Sequence, residues 1–250
     1  MLRSENMTGI YRFADKTVQV DSLYDEVHEY CRDYLCEGTP DFSVAISHAD
    51  IEYERRKSEK NDILEGRTVR EWSDGYLEEL AVYRKIAEKM PEFDTFLFHA
   101  SAISVDGQAY LFTAKSGTGK STHTRLWREL LGSRAVMVND DKPLIRVGQS
   151  GVTVFGTPYN GKHRLGENIS VPLKSVCILE RSEKNHIRKI SKAEAYPMLL
   201  QQVYRPSDSA ALAKTLELID KMTEYITFWR LGCNMEISAA DLAYHTMKGI

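Results

Sequence analysis

Two strand-like runs flank a tight turn directly before a glycine-rich loop, and this arrangement restricts the fold more than any other feature of the chain. The runs are "TFLFHASAIS" at 95–104 and "QAYLFTA" at 108–114, joined through Val105-Asp106-Gly107. An Asp-Gly pair between apolar runs is a strong signal for a tight hairpin. The strand that enters the loop therefore has an antiparallel neighbour, whereas a βαβ nucleotide fold joins neighbouring parallel strands through helices. The sequence predicts an α/β chain with a mixed sheet.

The glycine-rich loop is the segment "AKSGTGKS" at 114–121. It matches the phosphate-loop pattern G-x-x-x-x-G-K-[ST], except that Ala114 stands where the pattern has glycine. Alanine is compatible with this position if it keeps a negative φ, as an ordinary residue at the end of a strand does. A strand before the loop and a helix after it are the context that the pattern requires. The alternative is a glycine-rich turn capped by lysine, without a ligand.

The residue types in this loop suit nucleotide phosphates. Successive backbone N–H groups can form a concave nest for an anion, since glycine tolerates the dihedral angles that the nest needs. The following helix adds unpaired N–H groups and the positive end of its dipole. We expect Lys120 to contact the β- and γ-phosphates of ATP and the Ser121 hydroxyl to ligate Mg²⁺. The predicted nucleotide-binding residues of the loop are Ser116, Gly117, Thr118, Gly119, Lys120, Ser121 and Thr122.

An acidic pair, Asp140-Asp141, follows the next strand-like run, "AVMVN" at 135–139. Such a pair at a strand end is the expected partner of a phosphate loop. One carboxylate can hold the metal directly or through water, and the other can accept a proton from an attacking hydroxyl. The alternative is a polar exit from the strand into a turn.

His99 is a further candidate for the same site. It lies on the hairpin partner of the strand that enters the loop. Pairing across the Asp-Gly turn would put residues near 99 beside residues 113–115, close to the phosphate end of the loop. The alternative is an ordinary core or edge histidine.

The loop "GTPYNGKHRLGEN" at 156–168 combines glycines and a proline with consecutive basic residues. Such a loop can fold over an anion, and Lys162 and Arg164 would stabilise charge on a transferred phosphoryl group. We include Lys162 among the nucleotide-binding candidates and Arg164 among the catalytic ones. A solvated surface loop is the alternative.

Periodicity and turn signals predict the remaining elements. In the N-terminal part they predict a hairpin around 14–16, a helix over 22–36 with Ser22 as its cap, a strand at 42–47 and a helix over 74–90. The charge-rich run "IEYERRKSEKND" is interpreted as a solvated helix face or loop. Beyond the loop they predict a helix to Leu131, strands at 135–139 and 175–180, a hairpin around 148–151, and helices at 193–204, 208–222 and 238–248. A boundary near residue 94 would divide the chain into an N-terminal α+β region, 1–94, and an ATP-binding domain, 95–250; one composite domain is the alternative.

Composition argues against several other classes of protein. Lys and Arg total 33 against 36 Asp and Glu, a formal net charge of -3, so the basic excess of a nucleic-acid-binding protein is absent. The four cysteines have no zinc-ligand spacing. The N-terminus lacks the apolar core of a signal peptide, and no apolar run approaches the length that spans a bilayer. We therefore expect a cytoplasmic protein that binds neither nucleic acid nor membrane.

The segment "FHASAISVDGQAYLFTAKSGTGKST", followed by "VNDDK", resembles the shared nucleotide-binding core of HPr kinase/phosphorylase and phosphoenolpyruvate carboxykinase, over about residues 96–182. The resemblance implies a mixed-sheet P-loop fold of the HPr kinase/phosphoenolpyruvate carboxykinase type with a smaller N-terminal α+β region. It also implies ATP phosphates at Ser116 to Ser121, a divalent metal at Ser121, Asp140 and Asp141, Asp140 as proton acceptor, and His99 beside the transferred phosphate. The chain is too short for the carboxykinase substrate domain, and no peptide-docking signature of HPr kinases is recognisable.

These observations predict an ATP- and Mg²⁺-dependent kinase that transfers the γ-phosphoryl group to a hydroxyl, on a protein or peptide serine or on a small molecule. In this mechanism Lys120 and the basic loop residues Lys162 and Arg164 neutralise developing charge. Two alternatives stay open: an ATP-binding regulatory protein without phosphoryl transfer, and ATP hydrolysis that drives a partner. The N-terminal region would shape acceptor specificity, cover the active site or mediate self-association into a homo-oligomer.

Overall fold

The computed structural model describes residues 7–161 and 163–249. The chain divides into two compact units, Met1–Lys89 and Met90–Ile250. In the described ranges, the helices are all too short or too polar to cross a membrane.

Within residues 7–89, three strands form a small sheet in the order β1 (Met7–Phe13), β2 (Lys16–Ser22) and β3 (Phe42–Ala45). β1 and β2 are antiparallel, and β3 runs parallel to β2. β1 and β2 meet at a tight turn in which Ala14 and Asp15 have φ values of 48° and 60°. The predicted hairpin around 14–16 is confirmed, and the predicted strand at 42–47 is confirmed with an earlier end.

The helices of this unit are α1 (Glu26–Tyr30), α2 (His48–Leu64) and α3 (Asp74–Lys89). The predicted helix over 74–90 is confirmed. The charge-rich run lies in α2, but two of its carboxylates are not solvated. Glu54 and Asp62 are only 3% and 2% exposed, and they form ion pairs with Arg84 at 2.5 Å and Arg70 at 2.8 Å. The interpretation as a wholly solvated face is wrong at these two positions, because each buried carboxylate has a guanidinium partner.

The predicted helix over 22–36 is wrong in extent. Ser22 belongs to β2 and caps no helix, and α1 has five residues. The reason is a contact made by Glu78 of α3. Its carboxylate accepts hydrogen bonds from the backbone N–H groups of Leu23 and Tyr24, at 2.6 and 2.9 Å. These bonds hold the segment after β2 in a non-helical bend, which delays the start of α1.

Within residues 90–161 and 163–249, nine strands form one mixed sheet. Their order is β4-β8-β9-β10-β6-β5-β7, with β12 paired to β10 and β11 paired to β12. The strands are β4 (Thr95–Leu97), β5 (Ser101–Val105), β6 (Gln108–Thr113), β7 (Ala135–Asn139), β8 (Leu144–Val147), β9 (Val152–Phe155), β10 (Ser170–Arg181), β11 (His186–Ile190) and β12 (Thr227–Cys233).

The hairpin before the glycine-rich loop is present as predicted. β5 and β6 are antiparallel and meet at Asp106 and Gly107, whose φ values are 51° and 78°. The predicted strands at 135–139 and 175–180 and the hairpin around 148–151 are also confirmed, although β10 is longer than predicted. The run predicted at 95–104 is divided between two strands, β4 and β5. β11 and β12 were not predicted from the sequence.

The strand directions bring several chain ends to one edge of the sheet. β6, β10 and β12 are parallel to one another, while β5 is antiparallel to both β6 and β7. The carboxyl ends of β6, β7, β10 and β12 and the amino end of β5 therefore share an edge. We call it the loop edge; its strand-terminal residues are Thr113, Asn139, Arg181, Cys233 and Ser101.

Helices cover both faces of this sheet, so its central strands are buried on both sides. They are α4 (Lys120–Leu131), α5 (Lys192–Gln202), α6 (Ser209–Tyr225) and α7 (Ile237–Lys248). Phe112 shares one core cluster with Trp127 of α4 and residues of α7, whereas its neighbour Leu111 shares the other with Leu199 of α5 and Met222 of α6. This alternation is that of a pleated strand. The predicted helices are confirmed to within a few residues at their ends.

Gly156, just after β9, marks a point where three chain segments meet. A Cβ atom on this residue would lie 1.8 Å from the backbone oxygen of Glu167 and 2.8 Å from that of Val138. The N–H group of Glu167 also donates to Met137 O at 3.1 Å. The close approach holds the 156–168 loop against β7, which ends in the acidic pair.

We predict that Gly156→Ala destabilises the protein by roughly 1–3 kcal/mol, because the added methyl group meets backbone atoms that cannot rotate away. Urea unfolding monitored by circular dichroism measures the change. Gly148→Ala is the matched control, since its nearest contact would be an ordinary 3.5 Å. Equal stability of the two variants would contradict this account of the loop.

Candidate active site

The glycine-rich loop connects the end of β6 to the start of α4. Gly117 and Gly119 have φ values of 75° and 123°, in the region that favours glycine. Ala114 is fully buried and is not among the described non-glycine residues with positive φ. The expectation that alanine is tolerated at this position is therefore confirmed: the residue has ordinary strand-end geometry and packs in the core.

Hydrogen bonds shape the loop from inside and from a neighbouring strand. The N–H and hydroxyl groups of Thr118 donate to Lys115 O at 3.2 and 2.8 Å. Arg181, the last residue of β10, donates from Nη2 to Gly117 O at 2.6 Å. α4 starts at Lys120, so the N–H groups of its first turn lie beyond the reach of intrahelical acceptors and remain available to an anion.

Asn139 fixes the turn that carries the acidic pair. Its Oδ1 atom accepts hydrogen bonds from the N–H groups of Asp141 and Lys142, at 2.9 and 2.7 Å. Its Nδ2 atom donates to the hydroxyl oxygen of Thr157 at 2.9 Å. The turn after β7 is thus held to the start of the 156–168 loop through one fully buried amide side chain.

A chain of three buried side chains connects the loop helix to Asp140. The Ser101 hydroxyl donates to Asp140 Oδ1 and lies 3.2 Å from Thr124 Oγ1. Because the single hydroxyl proton of Ser101 goes to the carboxylate, this contact uses the Thr124 proton, which Lys120 O and Ser121 O also approach at 3.4 and 3.3 Å. Thr124 lies in the first turns of α4 and Ser101 at the start of β5, so the position of Asp140 is coupled to the helix that begins at Lys120.

His99 and Asp141 form a second polar pair at the loop edge. His99 Nε2 lies 3.3 Å from Asp141 Oδ1, and the backbone oxygen of His99 accepts a bond from Thr113 Oγ1 at 3.1 Å. The predicted proximity of residue 99 to the start of the loop is confirmed. Burial raises the pKa of Asp141, but His99, Lys142 and Lys120 together outweigh it and hold that pKa below its usual value.

Lys120 experiences the charges of the acidic pair. Burial lowers the pKa of this ammonium group, while Asp141 and Asp140 act in the opposite direction. Lys120 is therefore partly withdrawn from water and within the field of both carboxylates. The Lys120 ammonium group and the carboxylates of Asp140 and Asp141 thus lie close to one another at the loop edge.

The 156–168 loop reaches the acidic turn through Gly161. A Cβ atom there would lie 3.5 Å from Asp141 Cβ and 3.8 Å from Asp140 O. Arg164 is exposed on this loop, with a φ of 47° and its N–H group bonded to Gly161 O at 3.2 Å. The predicted residue Lys162 lies outside the described residues.

The predicted metal ligands at this edge could hold a hard divalent cation that also binds phosphate oxygens. Among the described residues, no group of three or more His, Cys, Asp or Glu side chains could hold a metal by itself. The predicted ligands Ser121, Asp140 and Asp141 offer oxygen atoms, which Mg²⁺ prefers, and Mg²⁺ commonly takes only one or two carboxylates together with substrate phosphates.

Five residues of this site were missed from the sequence. Four are polar residues that hold the acidic turn and the loop, and one is the arginine that bonds the loop carbonyl. Ser101 was the easiest of the five to predict. It is a polar residue in a mostly apolar run, at the start of the hairpin and two residues after His99. The missed residues are Ser101, Thr124, Asn139, Thr157 and Arg181.

The fold and the site together define a mixed-sheet α/β protein in which a glycine-rich loop and an acidic turn meet at one sheet edge. The sequence model of a protein family described as "SynChlorMet cassette protein ScmC" matches residues 74–224. This range is more than half of the 250 residues, and the chain belongs to that family.

A similarity search of solved structures finds the Hpr(Ser) kinase/phosphatase from Coxiella burnetii. The similarity covers 61% of this chain and 99% of that chain, with 10% sequence identity and a TM-score of 0.33. No curated protein matches the chain.

We predict that Ser101→Ala lowers the free energy of unfolding by about 1.5–3 kcal/mol, because the buried Asp140 carboxylate loses a charge-assisted donor. Urea unfolding at neutral pH measures the loss. Ser104→Ala is the control on the same strand, also buried, and should lower stability by about 1 kcal/mol or less. A smaller effect at 101 than at 104 would mean that the bond to Asp140 contributes little.

Proposed function

We propose that this chain is an ATP-dependent phosphotransferase that moves the γ-phosphoryl group to a hydroxyl group. The observation that carries the proposal is the hydrogen-bonded chain from Thr124 through Ser101 to Asp140. It couples the first turns of the loop helix, where phosphates would bind, to a carboxylate that can act on an attacking hydroxyl. A phosphate loop that served binding alone would not need this connection.

The loop supplies the binding half of the proposed activity. Gly117 and Gly119 adopt the positive φ values that let successive N–H groups turn toward an anion. The first turn of α4 adds N–H groups and the helix dipole. Lys120 brings a mobile positive charge whose loss of hydration is already offset in part by the neighbouring aspartates. These groups suit the triphosphate of a nucleotide.

Asp140 is the proposed proton acceptor. It is 7% exposed, and the Ser101 hydroxyl donates a hydrogen bond to Oδ1. The acceptor hydroxyl would lose its proton to Asp140 as its oxygen attacks the γ-phosphorus, and the bond from that phosphorus to the β-phosphate bridging oxygen would break. Phosphoryl transfer depends mainly on positioning and charge, so a carboxylate held beside the acceptor hydroxyl would favour the reaction.

Asp141 and the basic groups have the complementary task of arranging charge. Asp141 is held by His99 at 3.3 Å and keeps its negative charge, since its pKa is lowered. Ser121, Asp140 and Asp141 would hold Mg²⁺, which neutralises charge on the β- and γ-phosphates when bound. Arg164 lies on the loop whose Gly161 approaches Asp141 and would stabilise the transferred group; Lys162 is proposed for the same task from the sequence.

We predict that Lys120→Ala weakens MgATP binding roughly tenfold to a hundredfold, the value of one charge-assisted contact to phosphate. Isothermal titration calorimetry measures the affinity. Lys115→Ala is the matched control, because Lys115 is an exposed lysine of the same loop outside the phosphate-binding run, and it should bind within about twofold of wild type. Equal affinities of wild type and Lys120→Ala would sink the assignment of this loop.

We predict that Asp140→Asn retains MgATP affinity and loses phosphoryl transfer by about a hundredfold or more, since the amide accepts the Ser101 bond but no proton. Transfer of ³²P from the γ-position of ATP into acceptors of a cell extract from the source organism gives the readout. Wild-type protein that binds ATP without any transfer would favour a regulatory nucleotide-binding protein over an enzyme. Transfer by Asp140→Asn at the wild-type rate would assign the base elsewhere.

A further inference from the structure

A cavity of about 640 Å³ opens beside the glycine-rich loop, at the loop edge. One wall consists of loop and helix residues, among them Gly117, Gly119 and Thr122, and the opposite wall of residues that follow β10 and β12. Leu126 and Leu179 give it an apolar floor. The volume and the mixture of apolar walls with a few polar groups are those of a small-molecule site.

The order of the strands places this cavity and the acidic turn on opposite sides of the loop. Across the sheet, β7 and β5 precede β6, and β10 and β12 follow it. The acidic turn leaves β7, the loop leaves β6, and the cavity lies at the ends of β10 and β12. β10 pairs with the end of β6 at Ile178 and Thr113 and continues to Arg181. The longer strands therefore form a wall beside the loop, away from Asp140.

His123 lines this cavity, and one of its buried ring nitrogens has no hydrogen-bond partner within the described residues. Trp127 donates its indole N–H to His123 Nε2 at 3.0 Å, and since the indole is a donor only, Nε2 is the unprotonated nitrogen. The ring proton is then on Nδ1. His123 is 2% exposed, and within the described residues its Nδ1 has no hydrogen-bond partner. A ligand acceptor in the cavity would satisfy this N–H group.

Met235, at the cavity mouth, is 78% exposed. It lies on a turn between β12 and α7 that hydrogen bonds hold in place. The N–H group of Asn234 donates to Asn185 Oδ1 at 2.9 Å, and the N–H group of Glu236 donates to Asn234 Oδ1 at 3.1 Å. The turn thus presents one large apolar side chain to the cavity.

We infer that this cavity binds the nucleobase and ribose of the nucleotide, with the base between Met235 and the apolar floor and with His123 Nδ1 as a donor to it. The inference rests on the proposed function. If the γ-phosphate faces the acidic turn, the triphosphate runs along the loop and its nucleoside end emerges on the cavity side. A thioether stacks well on an aromatic ring, and the buried N–H group selects a base that presents an acceptor.

Calorimetric titration of the full chain with MgATP and with magnesium tripolyphosphate separates the nucleoside contribution from that of the phosphates. Wild-type protein should bind MgATP at least about tenfold more tightly than tripolyphosphate. Met235→Ala should weaken MgATP binding about three- to tenfold and leave tripolyphosphate binding unchanged. Ile237→Ala is the matched control: Ile237 is an exposed apolar residue of the same segment, and its replacement should change neither affinity.

His123→Phe keeps an aromatic ring beside Phe112 and Trp127 but removes the Nδ1 donor; it should weaken MgATP binding and leave tripolyphosphate binding unchanged. Met235→Ala keeps the test valid if His123→Phe does not fold. Equal binding of ATP and tripolyphosphate, with no effect of Met235→Ala, would overturn the cavity assignment and leave the phosphate loop standing. Reduced phosphoryl transfer by Met235→Ala at unchanged ATP affinity would also overturn it and assign the cavity to the acceptor. Failure of both probes to bind would overturn the proposed function itself.

Discussion

The parallel pairing of β10 with β6 and β12 is the constraint on which the site depends. Parallel strands end at the same edge of a sheet, so the glycine-rich loop, Arg181 and the segment after β12 emerge side by side. The antiparallel hairpin partner β5 then starts where β6 ends, and it brings Ser101 to the same edge. In a purely parallel sheet only the carboxyl ends of strands would reach this edge. Here the antiparallel β5 adds its amino end, so the site combines residues from both kinds of strand end.

Buried polar side chains turn this edge into a defined arrangement. Ser101, Thr124 and Asn139 are fully or almost fully buried, and each has a hydrogen-bond partner in the site. An unsatisfied buried polar group costs about 1–3 kcal/mol, so alternative positions of the acidic turn are unfavourable. The bond from Ser101 thus connects Asp140 to the element that contacts α4. His123 differs, because its ring is fixed by Trp127 while one nitrogen faces no protein acceptor within the described residues.

The hairpin, the loop and the helix after it were predictable because their signals are local. Asp106-Gly107 specifies the turn, and Gly117 and Gly119 specify the positive φ values. Contacts between distant segments were not predictable. Glu78 shortens the expected helix at 22–36 through bonds to residues more than fifty positions earlier. Ser101 connects Asp140 to Thr124 only because β5 lies between β6 and β7. Arg181 reaches the loop only because β10 extends beyond the end of β6.

The Asp106-Gly107 turn has a consequence for how the chain tolerates changes in length. It lies at the end of the hairpin opposite the loop edge, where the Asp106 carboxylate accepts two hydrogen bonds from the Arg134 guanidinium. A residue inserted within β5 would shift the register and turn Ser101 to the other face of the sheet. The same insertion at the turn leaves the register intact. The turn is thus a permissive position for a fluorescent or affinity label that reports on the protein without disturbing its chemistry.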